Sequence, residues 1–145
     1  MNDLSSAVAD FSKDFSGRVL LPTDTMWDDA RRIHNGLVDK HPALIAQCAG
    51  PADIARAVRL ARERSLEIAV RGGGHNVGGR ATVEGGMMID LSRMKHVYVD
   101  PAARTARVAG GTLWGQVNRE TQAHGLATTG GVVGGGGGAR KPPFS

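Results

Sequence analysis

Residues 68–79 read IAVRGGGHNVGG, an apolar run that ends at Arg71 and is followed by a loop with almost no side chains. The glycines of this loop allow positive φ angles and let the backbone approach a ligand, because no Cβ stands in the way. Successive N–H groups in such a loop point inward and form an anion site. The residue types therefore favour a phosphate-bearing ligand held by backbone amides, and a simple tight turn is the alternative.

One imidazole, that of His75, lies inside this loop. It is either a loop histidine that bonds a carbonyl or a group that contacts or attacks the ligand. The dinucleotide spacing G-x-G-x-x-G fails because Val77 occupies the third glycine position. The phosphate-binding spacing G-x-x-x-x-G-K-[ST] and the nucleophile motif G-x-S-x-G are absent from the sequence. The five histidines show no metal-ligand spacing, so no metal site is expected.

Composition narrows the class of partner. The 145 residues carry a net charge of +4, but the arginines are scattered and aromatic residues make up 4%. This suits a small anionic ligand, and we expect no nucleic-acid partner. The single cysteine, Cys48, gives no intramolecular disulfide, and no apolar run is long enough to span a bilayer. We expect no membrane partner and a cytoplasmic location.

The clearest predicted helix, GPADIARAVRLARERSL, has Gly50 as its N-cap and Pro51 at its first position. Its predicted apolar face consists of Ile54, Ala57, Val58 and Ala61. Apolar strands, PALIAQC and EIAV, flank it, which predicts a βαβ unit with a parallel pair. The segments GGMMIDLSRM, HVYVD and TARVAGG predict the short strands of a meander, and LWGQVNRETQAHG predicts a second helix.

The predicted fold class is therefore α+β, with a small parallel βαβ subdomain beside an antiparallel one. Residues 1–17 are expected to form an N-terminal arm, and residues 18–133 the domain. Residues 134–145, which follow a run of glycines, are expected to form a disordered tail.

Residues 51–79 and 85–133 resemble the FAD-binding (PCMH-type) domain of the berberine-bridge-enzyme-like FAD-linked oxidases, of the vanillyl-alcohol-oxidase superfamily. The motifs RGGGHN, IDLSRM and GLATTGG occur in the order and spacing of that family over residues 20–133. The resemblance implies FAD as cofactor, with the glycine loop around its pyrophosphate and His75 bonded to the flavin 8α-methyl. Val133 stands where some relatives carry a second attaching cysteine, so a single link is expected. The implied cofactor-binding residues are Arg71, Gly72, Gly73, Gly74, His75, Asn76, Gly78, Gly79, Thr128, Thr129, Gly130, Gly131 and Val132.

In the family, more sheet and a substrate domain follow, and they carry the catalytic base. No catalytic residue is therefore assigned here, and a small-molecule substrate is expected only for a full-length form. The resemblance implies the N-terminal part of an oxidoreductase that passes a hydride from an alcohol or sugar-like substrate to flavin. A truncated reading frame, a frameshift and an incomplete gene all remain open. The alternative function is an inactive remnant or a partner-binding fragment without stable cofactor.

Overall fold

The computed structural model describes residues 4–130. Gly131, Val132, Val133 and the predicted tail lie outside this range. Within the range, the elements follow in this order: α1 Leu4–Lys13, β1 Arg18–Leu20, α2 Trp27–Arg31, β2 Leu44–Gln47, α3 Pro51–Glu63, β3 Ile68–Arg71, β4 Met87–Asp90, β5 Val97–Asp100, β6 Thr105–Val108 and α4 Trp114–Gln122.

The strands form a four-stranded sheet in the order β1-β2-β4-β3 and a two-stranded sheet of β5 and β6. In the larger sheet β2 and β3 both run parallel to β4, while β1 is antiparallel to β2. The hairpin β5–β6 is antiparallel. The predicted α+β class, with parallel and antiparallel parts, is confirmed.

The position of β4 corrects the predicted topology. The segment containing Met87 to Asp90 was expected to open the meander, but it lies between β2 and β3, which are therefore not paired with each other. All four of its residues are buried. A strand that is covered on both faces needs an unbroken apolar run, and Met87-Met88-Ile89 provides one.

Helix α3 begins as predicted, with extended Gly50 as N-cap and Pro51 at the first position. Its buried face contains Ala57, Leu60 and Ala61, whereas Val58, which was predicted on that face, is 37% exposed. The correction follows from helix geometry, because positions 57, 60 and 61 share one stripe and position 58 lies about 100° away from position 57.

The core lies between the larger sheet and the helices α1 and α3. Its fully buried residues include Leu44, Ala46 and Met87, and Val8 of α1 belongs to the same cluster. Cys48 is also in this core, where burial raises the pKa of its thiol to about 12, so it lacks the thiolate that nucleophilic chemistry needs. None of the helices within residues 4–130 is long and apolar enough to cross a membrane.

Candidate functional site

The glycine loop begins where β3 ends, beside the end of β4. Arg71 and Asp90 are the last residues of these parallel strands and face each other in register. Arg71 Nε lies 3.2 Å from Asp90 Oδ1, and Nη2 lies 2.6 Å from Oδ2. Side-chain exposure is 12% for Arg71 and 0% for Asp90, so this two-pronged ion pair is largely out of water.

The other nitrogen of the guanidinium, Nη1, donates to the carbonyl oxygens of Ala30 at 2.5 Å and Arg32 at 2.9 Å. These bonds and the two to Asp90 use all but one of the N–H donors of Arg71. Arg71 therefore ties the segment after α2 to the ends of β3 and β4. Its guanidinium is thus engaged within the protein.

Asp90 stays ionised although it is buried. Burial by itself raises the pKa of this carboxyl, but the hydrogen bonds and charge of Arg71 outweigh it, with help from the backbone N–H and hydroxyl of Ser92. The net effect places the pKa of Asp90 below its ordinary value. Gln47 Nε2 also donates to Asp90 Oδ2 at 3.0 Å, which satisfies the carboxylate further.

A cavity of about 190 Å³ opens beside the start of the glycine loop. Its lining comes from four segments: Arg32 to His34, Arg71 to Gly74, Ser92 with Lys95, and Gly111 with Leu113. Pockets for whole drug-sized ligands measure about 300–1,000 Å³, so this space matches part of a ligand. Its lining includes three successive glycines and a lysine, which suits an anionic group.

The glycines of the loop differ in what they require. A Cβ on Gly72 would lie 2.5 Å from the carbonyl oxygen of Gly110, so this position needs a glycine for close packing. Gly74 and Gly79 have φ angles of +74° and +69°, the left-handed region that favours glycine. Gly73 does not have a positive φ, which places the conformational demand on its neighbour Gly74.

Residues 33–40, which we call the bracing segment, run along the glycine loop. The backbone N–H of His34 donates to the carbonyl of Gly74 at 3.0 Å, and Asn35 Nδ2 donates to the carbonyl of Val77 at 2.9 Å. Lys40 Nζ lies 3.5 Å from the carbonyl oxygen of Gly79. The loop is thus held from Gly74 to Gly79 by a segment that the sequence analysis did not connect with it.

Two of the predicted side chains lie within this braced loop. His75 is half-buried, and its ring stacks on His34 with centroids 4.7 Å apart. Asn76 Oδ1 accepts the backbone N–H of Arg80 at 3.0 Å, so its amide shapes the turn through Gly78 and Gly79. Asn76 therefore stabilises this turn of the loop.

The second predicted segment, around Thr128 to Gly130, is not in the lining of the cavity within the described residues. A Cβ on Gly130 would lie 2.5 Å from Trp114 Cη2, so Gly130 admits the indole ring. The hydroxyl of Thr128 is buried and has no hydrogen-bond partner within residues 4–130. A buried unpaired hydroxyl is costly, and a ligand atom could satisfy it. Nothing in the structure places Thr129 against either feature.

Lys95 and Arg32 are lining residues that the sequence analysis missed. Arg32 already pairs with Asp28 through Nη2 at 2.7 Å, whereas no ion pair engages Lys95 within residues 4–130. The signal for Lys95 was its place in the segment that directly follows Asp90, the last residue of β4. Because ligands gather at the carboxyl ends of parallel strands, an assignment of β4 to that sheet would have pointed to it. The described residues contain no cluster of three or more metal-ligating side chains.

The FAD binding domain family matches this sequence over residues 42–141. The chain belongs to this family. It is 40% identical over 116 residues to (R)-6-hydroxynicotine oxidase of Paenarthrobacter nicotinovorans, an alignment that covers 80% of this chain and 25% of that protein. The predicted resemblance and the predicted cofactor, FAD, are therefore confirmed.

Solved structures support the same conclusion. The crystal structure of 6-hydroxy-D-nicotine oxidase from Arthrobacter nicotinovorans superposes with a TM-score of 0.82 at 38% identity, over 86% of this chain and 27% of that one. Phl p 4, a grass pollen allergen with glucose dehydrogenase activity, superposes with a TM-score of 0.81 at 26% identity, over 90% and 29%. The chain spans about a quarter of the length of the curated relatives it matches. It is an FAD-binding domain of the kind found in FAD-linked oxidoreductases.

Proposed function

We propose that the cavity holds the FAD pyrophosphate, and that the chain is the N-terminal part of an oxidoreductase passing a hydride from an alcohol or sugar-like substrate to the flavin. The observation that carries the first half is the lining, which brings Gly72 to Gly74, residues without a Cβ, together with the cationic residue Lys95. When bound, FAD supplies the ring that accepts the hydride. The chain's residues supply binding and orientation.

The roles divide between backbone and side chains. The N–H groups of the glycine loop would donate to phosphate oxygens, since a loop without Cβ atoms leaves them accessible. Lys95 would balance the charge as a point cation. The hydroxyl of Thr128, which has no hydrogen-bond partner within residues 4–130, would donate a further bond to the cofactor. Arg71, held by Asp90, keeps the start of the loop in place.

His75 is proposed as the covalent attachment point. Its neutral imidazole carries a nitrogen lone pair, which an attack on carbon requires. A ring nitrogen of His75 would hold the flavin at its 8α carbon in place of one hydrogen on each partner, and the bound flavin would supply the two-electron oxidation that this link needs, with dioxygen as the final acceptor. The result is a cofactor that does not dissociate.

The substrate is the open part of the proposal. One relative is named as a hydroxynicotine oxidase and another as having glucose dehydrogenase activity, and both share this domain. The domain thus supports the cofactor half of the reaction. A partner-binding remnant is the second candidate, and it is favoured by the large exposed side chains Leu37 (95%) and Val77 (83%), which lie on adjoining loops.

A flavin titration of the chain tests the first half of the proposal. We expect FAD to bind and ADP to compete with it, because both carry the pyrophosphate, whereas riboflavin binds weakly. Lys95→Ala removes a charge-assisted contact worth about 1.5–3 kcal/mol, so the FAD affinity should fall by roughly tenfold or more. Ultrafiltration with flavin absorbance measures the bound fraction.

Arg93→Ala is the matched control, because Arg93 lies in the same turn, is exposed and does not line the cavity. Both variants lose one positive charge, so any general attraction for an anion falls equally. Equal losses of FAD affinity in the two variants would contradict the pyrophosphate site. Failure of the parent chain to bind any FAD would favour the partner-binding remnant.

A further inference from the structure

The ring of His75 has one oriented contact within the described residues. Its centroid lies 4.7 Å from that of His34, with an angle of 34° between the ring planes. This separation falls within the range of about 4.5–7 Å at which aromatic pairs attract each other. No side-chain hydrogen bond within residues 4–130 fixes either ring, so the stack is the contact that sets the His75 ring plane.

The two backbones on which the rings stand are joined on both sides of the stack. On one side, the His34 N–H bonds the Gly74 carbonyl at 3.0 Å. On the other, Asn35 Nδ2 bonds the Val77 carbonyl at 2.9 Å. The ring of His34 is therefore carried by a segment anchored directly to the loop that carries His75, and the two rings keep a fixed relation.

The anchoring extends to the buried ion pair. Arg71 Nη1 bonds the carbonyls of Ala30 and Arg32, just before the bracing segment, while its other nitrogens bond Asp90. The position of His34 is thereby fixed relative to the carboxyl ends of β3 and β4.

We propose that His34 is a positioning residue for His75, and that its stacked ring holds the imidazole in the orientation from which a ring nitrogen meets the flavin. The proposal rests on the role of His75 given above as the attachment point. Attack on carbon requires a near-attack geometry, and a misplacement of about 1 Å can cost on the order of a hundredfold in rate. An unstacked His75 ring rotates about its side-chain bonds and occupies that geometry less often.

The first measurement needs no cofactor. In the chain labelled at the histidine Cε1–H, the five histidines give five signals, and His75→Ala identifies the one from His75. We expect the ring current of His34 to displace this signal from that of exposed His124. His34→Ala should move the signal toward the His124 value, and His34→Phe should keep it displaced, because a phenyl ring retains the stack.

The second measurement follows attachment of added FAD, as flavin fluorescence that stays with the polypeptide after acid denaturation and gel electrophoresis. His34→Ala should slow attachment about tenfold or more, and His34→Phe should restore most of the rate. His124→Ala, at an exposed position, is the control and should change neither measurement. Circular dichroism of His34→Ala should match the parent, which separates positioning from folding.

The outcomes keep the two proposals apart. An unchanged His75 signal in His34→Ala overturns the positioning role, whatever happens with FAD. A His75 signal that moves in His34→Ala while the rate of flavin attachment stays unchanged also overturns this role. Flavin that remains bound in His75→Ala, or is released from the parent, instead removes the attachment role of His75.

Discussion

At the scale of single residues, the site depends on a carboxylate that the sequence did not single out. Asp90 is fully buried, and Arg71, Gln47 and the N–H of Ser92 satisfy its oxygens. A buried ion pair contributes little net stability compared with an apolar pair, but loss of one partner strands the other charge. The main role of the pair is therefore to hold β3, β4 and the segment after α2 in fixed positions relative to one another.

Asp90→Asn tests this role of the Arg71–Asp90 ion pair. We expect it to lower the free energy of unfolding by about 3 kcal/mol near neutral pH, since Arg71 would be left buried beside a neutral amide. The pKa of Asp90 is lowered in the folded state, so the carboxylate stabilises the fold above the unfolded pKa of about 3.9. That stability is lost as the pH falls from about 4 toward the lowered folded value.

Urea unfolding of parent and variant at several pH values measures the difference between them. It should be largest near pH 7 and shrink below pH of about 4, where Asp90 itself becomes protonated. Asp29→Asn, at an exposed carboxylate, is the control and should behave like the parent. A difference that stays constant down to acid pH would show that the ion pair contributes nothing specific to stability.

At the scale of elements, the glycine loop and the bracing segment form one unit. Gly79 has a φ of +69°, and a Cβ there would lie 2.9 Å from both methyl groups of Val38. Gly78 does not have a positive φ, and the nearest atom to its Cβ position is Asn76 Oδ1 at 3.5 Å. Neighbouring glycines thus differ in whether the fold requires them.

Gly79→Ala should lower the free energy of unfolding by about 1–2 kcal/mol for its left-handed backbone alone, with a further loss from contact with Val38. Gly78→Ala is the matched control and should be close to neutral. Adding Val38→Ala to Gly79→Ala should recover the contact part and leave the backbone part. Thermal unfolding of the parent and the three variants separates the backbone part from the contact part. Equal losses of stability in Gly79→Ala and Gly78→Ala would contradict the packing of the glycine loop against the bracing segment.

A feature could be predicted from the sequence when neighbouring residues cause it, and it was missed when a contact between distant segments causes it. The N-terminus of α3 was predicted because Gly50 and Pro51 act locally. The central place of β4 was missed because the sequence order of strands does not give their order in a sheet. The partnership of His34 with His75 was missed for the same reason, since a backbone bond between distant segments leaves no periodic pattern in the sequence.

At the scale of the molecule, the cavity lies where the carboxyl edge of the parallel sheet meets the segments that flank the β5–β6 hairpin. Lys95 precedes β5 and Gly111 follows β6, whereas Arg71 to Gly74 follow β3. The cavity therefore exists only when both sheets are in place. A resemblance of short motifs could predict the loop, but the cavity required the tertiary fold.

Helix α1 also belongs to this tertiary structure, although it lies inside the stretch predicted as an arm. Val8 is 4% exposed and belongs to the main core cluster, and Phe11 and Phe15 pack against that cluster. The backbone N–H of Ser16 also donates to the buried carboxylate of Asp53 at 2.9 Å. We therefore propose that residues 4–16 are an integral part of the domain, and that its boundary lies before position 18.

Val8→Ser and Ala9→Ser decide between an integral helix and an arm, because neighbouring residues of α1 receive the same side chain at a buried and an exposed position. Val8→Ser removes a buried aliphatic side chain worth about 1.5–3 kcal/mol and places a hydroxyl in the core. Its free energy of unfolding should fall by about 2 kcal/mol or more. Ala9→Ser should lose only the small difference in helix propensity, about 0.5 kcal/mol. Urea unfolding followed by circular dichroism measures both, and two equally small losses would show that α1 is a dispensable arm, with the domain beginning near residue 18.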